Sequence, residues 1–247
     1  MPQSTYIIIV ISSLLILSIF AIVMLYRKYV ANKRHTLQIE QQLLLSQMNP
    51  HFVFNSLTAI QSYIFRNEAH QASKYLASFA KLIRLILENS RKEFNSLESE
   101  VITLKHYLEL QALRFEERFE YNIQVISNIN TDHIKLPPML AQPLIENAIE
   151  HGFIHISEKG KLDIRFIAED NNFLFIEVED NGVGIEKSKQ LQMNTGKSHR
   201  SLATEITKER ICKIKQSKGL DIKMSIIDVS TLDPTHHGTL VKLKIPI

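Results

Sequence analysis

PLIENAIEHG, residues Pro143–Gly152, decides how the second half of this chain folds, because it sets one polar residue against an apolar helical face. Helical spacing lets Leu144, Ala148 and Phe153 face a sheet, while Asn147 points from the opposite side of the helix toward a cleft. An amide oxygen is a hard, neutral ligand of the kind Mg2+ accepts when it already bridges nucleotide phosphates. Glu146 and His151 stand beside it. Asp180 lies 33 positions beyond Asn147 and opens DNGVGI (Asp180–Ile185) after an apolar strand, where its carboxylate can accept a hydrogen bond from an exocyclic amine such as that of adenine. Gly182 and Gly184 let the backbone approach a flat base closely. Alone, a DxGxG string is as readily an ordinary turn. Spaced from the asparagine helix in this way, and joined by HGTLVKLKIPI (His237–Ile247) with a Thr239 hydroxyl beside Gly238, it reads as one nucleotide site.

Outward from that site the backbone regime changes. All seven glycines lie at or beyond Gly152, and residues 1–151 have none. Alternation at Tyr121, Ile123 and Val125, at Leu162, Ile164 and Phe166, and at Phe173, Phe175 and Ile176 to Val178 predicts strands, with Asn171 and Asn172 placed to turn a hairpin. Ile222, Met224 and Ile226, and then Val241, Leu243 and Ile245 between Lys242 and Lys244, supply two more. Helices fit Pro138–His151 and Ser201–Gln216, so residues 118–247 are expected to form an α/β sandwich of helices and mostly antiparallel strands. Residues 48–117 instead recur at helical spacing, for example Leu76, Phe79, Ala80, Ile83 and Leu87. Two helices, 51–90 and 97–117, are expected to meet near Asn89–Ser96, and two such hairpins would bury their stripes in a homodimeric four-helix bundle. The fold class is therefore α+β.

Tyr6–Tyr26 carries no charged residue over 21 positions. At the rise of a helix that run covers about 30 Å, the hydrocarbon thickness of a bilayer. Arg27, Lys28, Lys33 and Arg34 follow it and nothing basic precedes it, which predicts a single-pass anchor in the plasma or inner membrane. Residues 1–5 would lie outside, 6–26 would span, and the C-terminal part would be cytoplasmic. A cleaved signal peptide would carry its basic residues first. So short an outer segment predicts no external sensor domain, and residues 27–47 form a helical connector with an apolar seam at Leu37, Leu43, Leu44 and Met48. The 247 residues are 45% hydrophobic and 22% charged, with a net charge of +3 that gives no support to nucleic-acid binding. The single cysteine, Cys212, excludes a disulfide framework or a thiolate metal cluster.

QMNPHFVFN (Gln47–Asn55) adds the reactive group. Asn49 caps a helix, Pro50 suits its first turn, and His51 then stands at the N-terminus among Phe52, Phe54 and Leu57. Alone, such a histidine is a structural cap or filler. Beside a nucleotide site it points to phosphoryl transfer. Together these elements resemble the GHKL (Bergerat-fold) ATPases, and with the histidine string they resemble the LytS/YehU-type sensor histidine kinases, over residues 47–247.

The resemblance implies that His51 is the phosphoacceptor, Asn147 the Mg2+ ligand, Asp180 with Gly182 and Gly184 the adenine reader, and Thr239 a further contact to the base. His151, Gly196 and Lys197 join the expected nucleotide contacts. It further implies ATP and Mg2+ as cofactors, autophosphorylation, and transfer to an aspartate of a response regulator, often of LytTR type. The neutral imidazole would attack the γ-phosphate in line. Asn55, one turn along, would position a phosphate oxygen or a water, or simply face solvent.

Four positions depart from the pattern. Phe52 stands where many sensor kinases place an acidic residue, and Glu150 stands where a lysine is common. The glycine-rich lid is replaced by NTGKSHRSLATEITKERI (Asn194–Ile211), in which Lys197, His199 and Arg200 either contact phosphate or form a basic solvated loop. Pro143 occupies the place of the water-activating glutamate of GHKL hydrolases, which argues against simple ATP hydrolysis. The alternative these departures leave open is a degenerate pseudokinase that signals through its dimer.

Overall fold

The computed structural model describes residues 23–24, 26–28, 50–90, 92–116, 118–127, 130–153, 156, 158–169, 172–187, 202–233 and 235–247, with backbone alone at 50, 51, 151, 169 and 202–206. Most of the expected membrane span, the connector and the segment from Lys187 to Ser201 lie outside these residues except at their edges. Among the described residues no helix is long and apolar enough to cross a membrane. The chain divides into two units, 1–53 and 54–247. Of the first, only helical residues at 23–24 and 26–28 and the start of the next helix are described.

Helix α1 runs Pro50–Phe65 and α2 Ala69–Ser90, which corrects the single helix expected over 51–90. The break falls at Asn67, whose φ of 60° is left-handed. Its N–H still reaches the Ile64 carbonyl at 3.0 Å, so an asparagine ends α1 where glycine often would. Tyr75, Leu82 and Ile86 of α2 are buried, whereas Leu76 is 51% exposed. The stripe read from sequence is thus rotated away from the face that α2 buries within the chain.

Ser96 opens helix α3, Leu97–Arg114, by accepting from the Ser99 N–H at 3.2 Å. Strand β1 (Asn95–Ser96) just before it pairs with β3 (Lys135–Leu136). Leu97, Leu104, Tyr107, Leu108 and Leu110 are all at most 2% exposed. They point around the whole helix because α3 packs on α2 and also on β2 (Phe119–Ile126). Much of its apolar surface is therefore covered within the chain, although Ile102 stays 43% exposed.

The remaining elements are α4 (Gln142–Asn147), β4 (Gly160–Glu169), β5 (Phe173–Asp180), α5 (Leu202–Lys218), β6 (Lys223–Asp228) and β7 (Thr239–Pro246). The sheet order is β2-β4-β5-β7-β6, with β2 parallel to β4 and the rest antiparallel. The parallel pair needs a crossover, and α4 supplies it. Helix α4 starts later than expected from Pro138. On the inner face Ile164, Phe166, Leu174, Ile176, Leu243 and Ile245 are fully buried. On the outer face Arg165 meets Glu177 at 3.0 Å and Glu179 at 2.8 Å, and Lys242 meets Glu177 at 2.6 Å. Phe173 belongs to that outer face, under the Lys244 ammonium at 3.9 Å, so the inward set of β5 is Leu174, Ile176 and Val178 rather than its phenylalanines.

Leu108→Ala tests the placement of α3. It should cost about 2–5 kcal/mol in denaturant unfolding, as expected of a large-to-small core change. The loss should not depend on protein concentration, because the burial is within one chain. A loss that shrinks as concentration rises would return α3 to an interface between copies.

Candidate nucleotide site

Strand alternation that turns Leu174, Ile176 and Val178 inward also turns Asp180 inward, as the last residue of β5. It is 7% exposed. Its Oδ1 accepts from the Gly182 N–H at 2.8 Å and from the Thr239 N–H at 3.3 Å. Burial pushes its carboxyl up to about 6, against the pull of those two hydrogen bonds, and Glu179 and Asp228 add to the rise. A carboxylate held at such cost keeps acceptor capacity for a ligand amine.

The loop after Asp180 is shaped by close approach. A Cβ on Gly182 would lie 2.7 Å from both Cα and the carbonyl oxygen of Gly152, so only glycine lets this loop touch the end of the α4 segment. Gly184 has a φ of 78°. Asp228, at the end of β6, ties the loop down: Oδ2 accepts from Ile185 N–H at 2.8 Å and Glu186 N–H at 3.3 Å, and Oδ1 from Ser230 Oγ at 2.5 Å. The Ser230 hydrogen bond leads in holding its carboxyl below the ordinary carboxylate range. Sequence reading missed Asp228; it is 43 residues or so from its partners and marked by no motif.

Beyond Asn147 the helix widens over Ala148–Gly152, with the Phe153 N–H reaching the Ala148 carbonyl at 3.2 Å. Such π-type turns are frequent at functional sites. Leu144, Ile145, Ala148 and Ile149 are buried, while Phe153 stacks on Phe119 with centroids 5.8 Å apart. Asn147 is half-buried, and its Oδ1 is fully buried with no hydrogen-bond partner among the described residues. An orphaned amide oxygen costs stability unless something fills its coordination. The residues present fit a Mg2+-nucleotide: Asn147 Oδ1 would hold the metal and Asp180 the base.

Glu150 is not a bare charge facing that site. Its carboxylate meets the Arg114 guanidinium of α3 at 3.3 Å, and both side chains are under one-fifth exposed. This pairing was invisible in the sequence, where the two lie 36 residues apart.

Asp180, Gly182, Gly184 and Thr239 come together at one end of the sheet, where Gly152 meets Gly182; Thr239 contributes its main-chain N–H to Asp180, and Asn147 lies on the helical segment that leads to Gly152. His151 is placed by backbone alone, in the widened turn. Gly196, Lys197, His199 and Arg200 lie outside the described residues. His51 is the second residue of α1, placed by backbone alone in the first unit, and Asn55 is half-buried on the same helix in the second.

Residues 39–119 match the profile of the histidine kinase family. Over 150 residues the chain is 34% identical to the sensor protein LytS of Staphylococcus haemolyticus and 33% identical to the sensor histidine kinase/phosphatase LytS of Staphylococcus aureus. The chain is thus similar to LytS-type histidine kinases over part of its length. Each alignment takes in 61% of this chain and 25% of the relative, so the chain spans about a quarter of the length of the LytS proteins it matches. Among solved structures, the histidine kinase domain of the Erythrobacter litoralis blue-light activated kinase is 15% identical, with a TM-score of 0.42 over 85% of this chain and 95% of that one. Residues 54–247 themselves form a mixed α/β unit in which helices accompany a five-stranded sheet.

Asp180→Asn tests the electrostatics of the site. A carboxyl raised from 3.8 to about 6 loses native stability as pH climbs through that window, and the cost, on the order of 3 kcal/mol, persists above it. The neutral amide lacks that cost. The variant should therefore melt higher than the parent at pH 7.5, show a flatter melting profile between pH 4 and 6, and lose ATP binding. A lower melting temperature at pH 7.5 would contradict the assignment of a costly buried charge.

Proposed function

We propose that this chain is a membrane-anchored sensor histidine kinase of a two-component system. In this account it uses Mg2+-ATP to phosphorylate His51 and passes the phosphoryl group to an aspartate of a response regulator, of LytTR type. The orphaned Asn147 Oδ1, on the same helical segment whose Gly152 touches the Asp180 loop, is the observation that carries it.

Asp180 would read the adenine amine through a carboxylate kept in place by Gly182 and Thr239, while the Gly182–Gly184 backbone, braced by Asp228, would lie along the base. When bound, Mg2+ supplies charge neutralisation to the phosphates. The neutral ring nitrogen of His51 forms the N–P bond as the bond between the γ-phosphorus and the bridging oxygen breaks, and ADP leaves with that oxygen. The phosphoimidazole then passes its phosphoryl group to a carboxylate. Tyr6–Tyr26 would anchor the chain with its C-terminus in the cytoplasm, and a second copy would cover the exposed apolar residues Phe54, Leu57, Ile64, Phe65 and Leu76.

The full chain, incubated with Mg2+-ATP, should acquire an acid-labile, base-stable phosphate that maps to His51. His51→Ala should abolish labelling while leaving the melting profile intact, and Asn147→Ala should abolish it while His51 is still present. Label persisting in His51→Ala on another of the ten histidines would refute the phosphoacceptor assignment. A reporter fused after Ile247 should be active in the cytoplasm; an external reporter would overturn the orientation.

A further inference from the structure

Helix α4 begins without a cap of its own. Its N-cap residue is Ala141, which offers no side-chain acceptor. Glu100 of α3 takes that place from another element: it is 1% exposed, and its Oε2 accepts from the Met139 N–H at 3.0 Å. The N–H groups of Leu140 and Ala141 also favour its ionised form, although burial pushes the carboxyl up to about 7. Its Oε1 has no hydrogen-bond partner among the described residues. Met139 is held at a φ of 58°, a conformation an L residue adopts only when its surroundings impose it. From the other side Arg210 of α5 donates to the Pro138 carbonyl at 2.5 Å, and its charge acts on both Glu100 and Glu146. Pro138–Ala141 is thus gripped between a carboxylate on α3 and a guanidinium on α5.

Asn147 lies six positions beyond Ala141, a rise of roughly 9 Å along a helix, with no joint between them. Movement at the gripped segment must therefore move Asn147. A buried carboxylate is a costly way to start a helix, and a serine or aspartate at position 141 would do so locally. What the distant cap adds is a fixed placement of α4 against α3 and α5.

We propose that Glu100 and Arg210 are positioning residues that set the Asn147 amide for the metal of a Mg2+-nucleotide. The inference rests on the reading of Asn147 given above. It assigns no contact between either residue and the ligand; both act through the start of α4.

The test is binding of a fluorescent ATP analogue to the full chain, measured with Mg2+ and with EDTA, beside the melting profile. In the parent chain Mg2+ should tighten binding. In Glu100→Gln and in Arg210→Gln the Mg2+-dependent gain should fall roughly tenfold or more, as a displaced ligand would cause. Affinity in EDTA should stay within about twofold of the parent, since Asp180 is untouched. Should Glu100→Gln fail to fold, Arg210→Gln carries the same comparison. A full Mg2+-dependent gain in either folded single variant overturns the proposal, as does an equal loss with and without the metal. Absence of any Mg2+ effect in the parent would instead overturn the reading of Asn147, and this inference with it.

Discussion

A carboxylate at the inward end of an apolar strand is the constraint on which the rest of the nucleotide half depends. Asp180 follows Leu174, Ile176 and Val178 in register, so its burial is dictated by the same alternation that builds the core. Two main-chain N–H groups must meet it, one from the loop that follows and one from β7 beside it. That requirement makes a glycine of position 182, since a side chain there would strike the carboxylate and the Gly152 backbone, and it leaves little room at position 152. It also calls for Asp228 to hold the loop from β6. Folding depends on these contacts, and the protein bears the cost of a buried, charged acceptor.

Helix α3 takes part in this half of the molecule more fully than its place in the chain suggests. Glu100, Gln111 and Arg114 form a polar seam along it, reaching Met139, the Tyr107 hydroxyl at 2.6 Å and Glu150. Because Arg114 already neutralises Glu150, the absent lysine is not a simple charge defect. Removing Glu150 would leave the Arg114 charge without this partner in a largely buried place, so a substitution there perturbs α3 as well as the turn that carries position 150.

Much of this was legible in the sequence. Period-two alternation located all five strands of the main sheet, because inner and outer faces differ in polarity. The strings around Asn147, Asp180 and Thr239 picked out the crossover helix, the end of β5 and the start of β7, and the fold sets Asp180 beside Thr239 and Gly152. What stayed hidden depended on distant partners. Asn67 looked like any polar residue of a helix, yet its tolerance of left-handed backbone ends α1. The face of α2 that packs within the chain, Tyr75, Leu82 and Ile86, went unread, since only packing against α3 selects it. The parallel register of β2 with β4, the grip of Glu100 on Met139 and the Arg114–Glu150 pair are long-range, with no periodicity to announce them.

The central claim is that Asn147 and Asp180 face one nucleotide. A crystal structure of the chain with Mg2+ and a non-hydrolysable ATP analogue tests it most directly. The account predicts the adenine amine within hydrogen-bond distance of Asp180, about 3 Å, and the metal about 2.1 Å from Asn147 Oδ1. An analogue bound elsewhere, or a metal coordinated without Asn147, would contradict it.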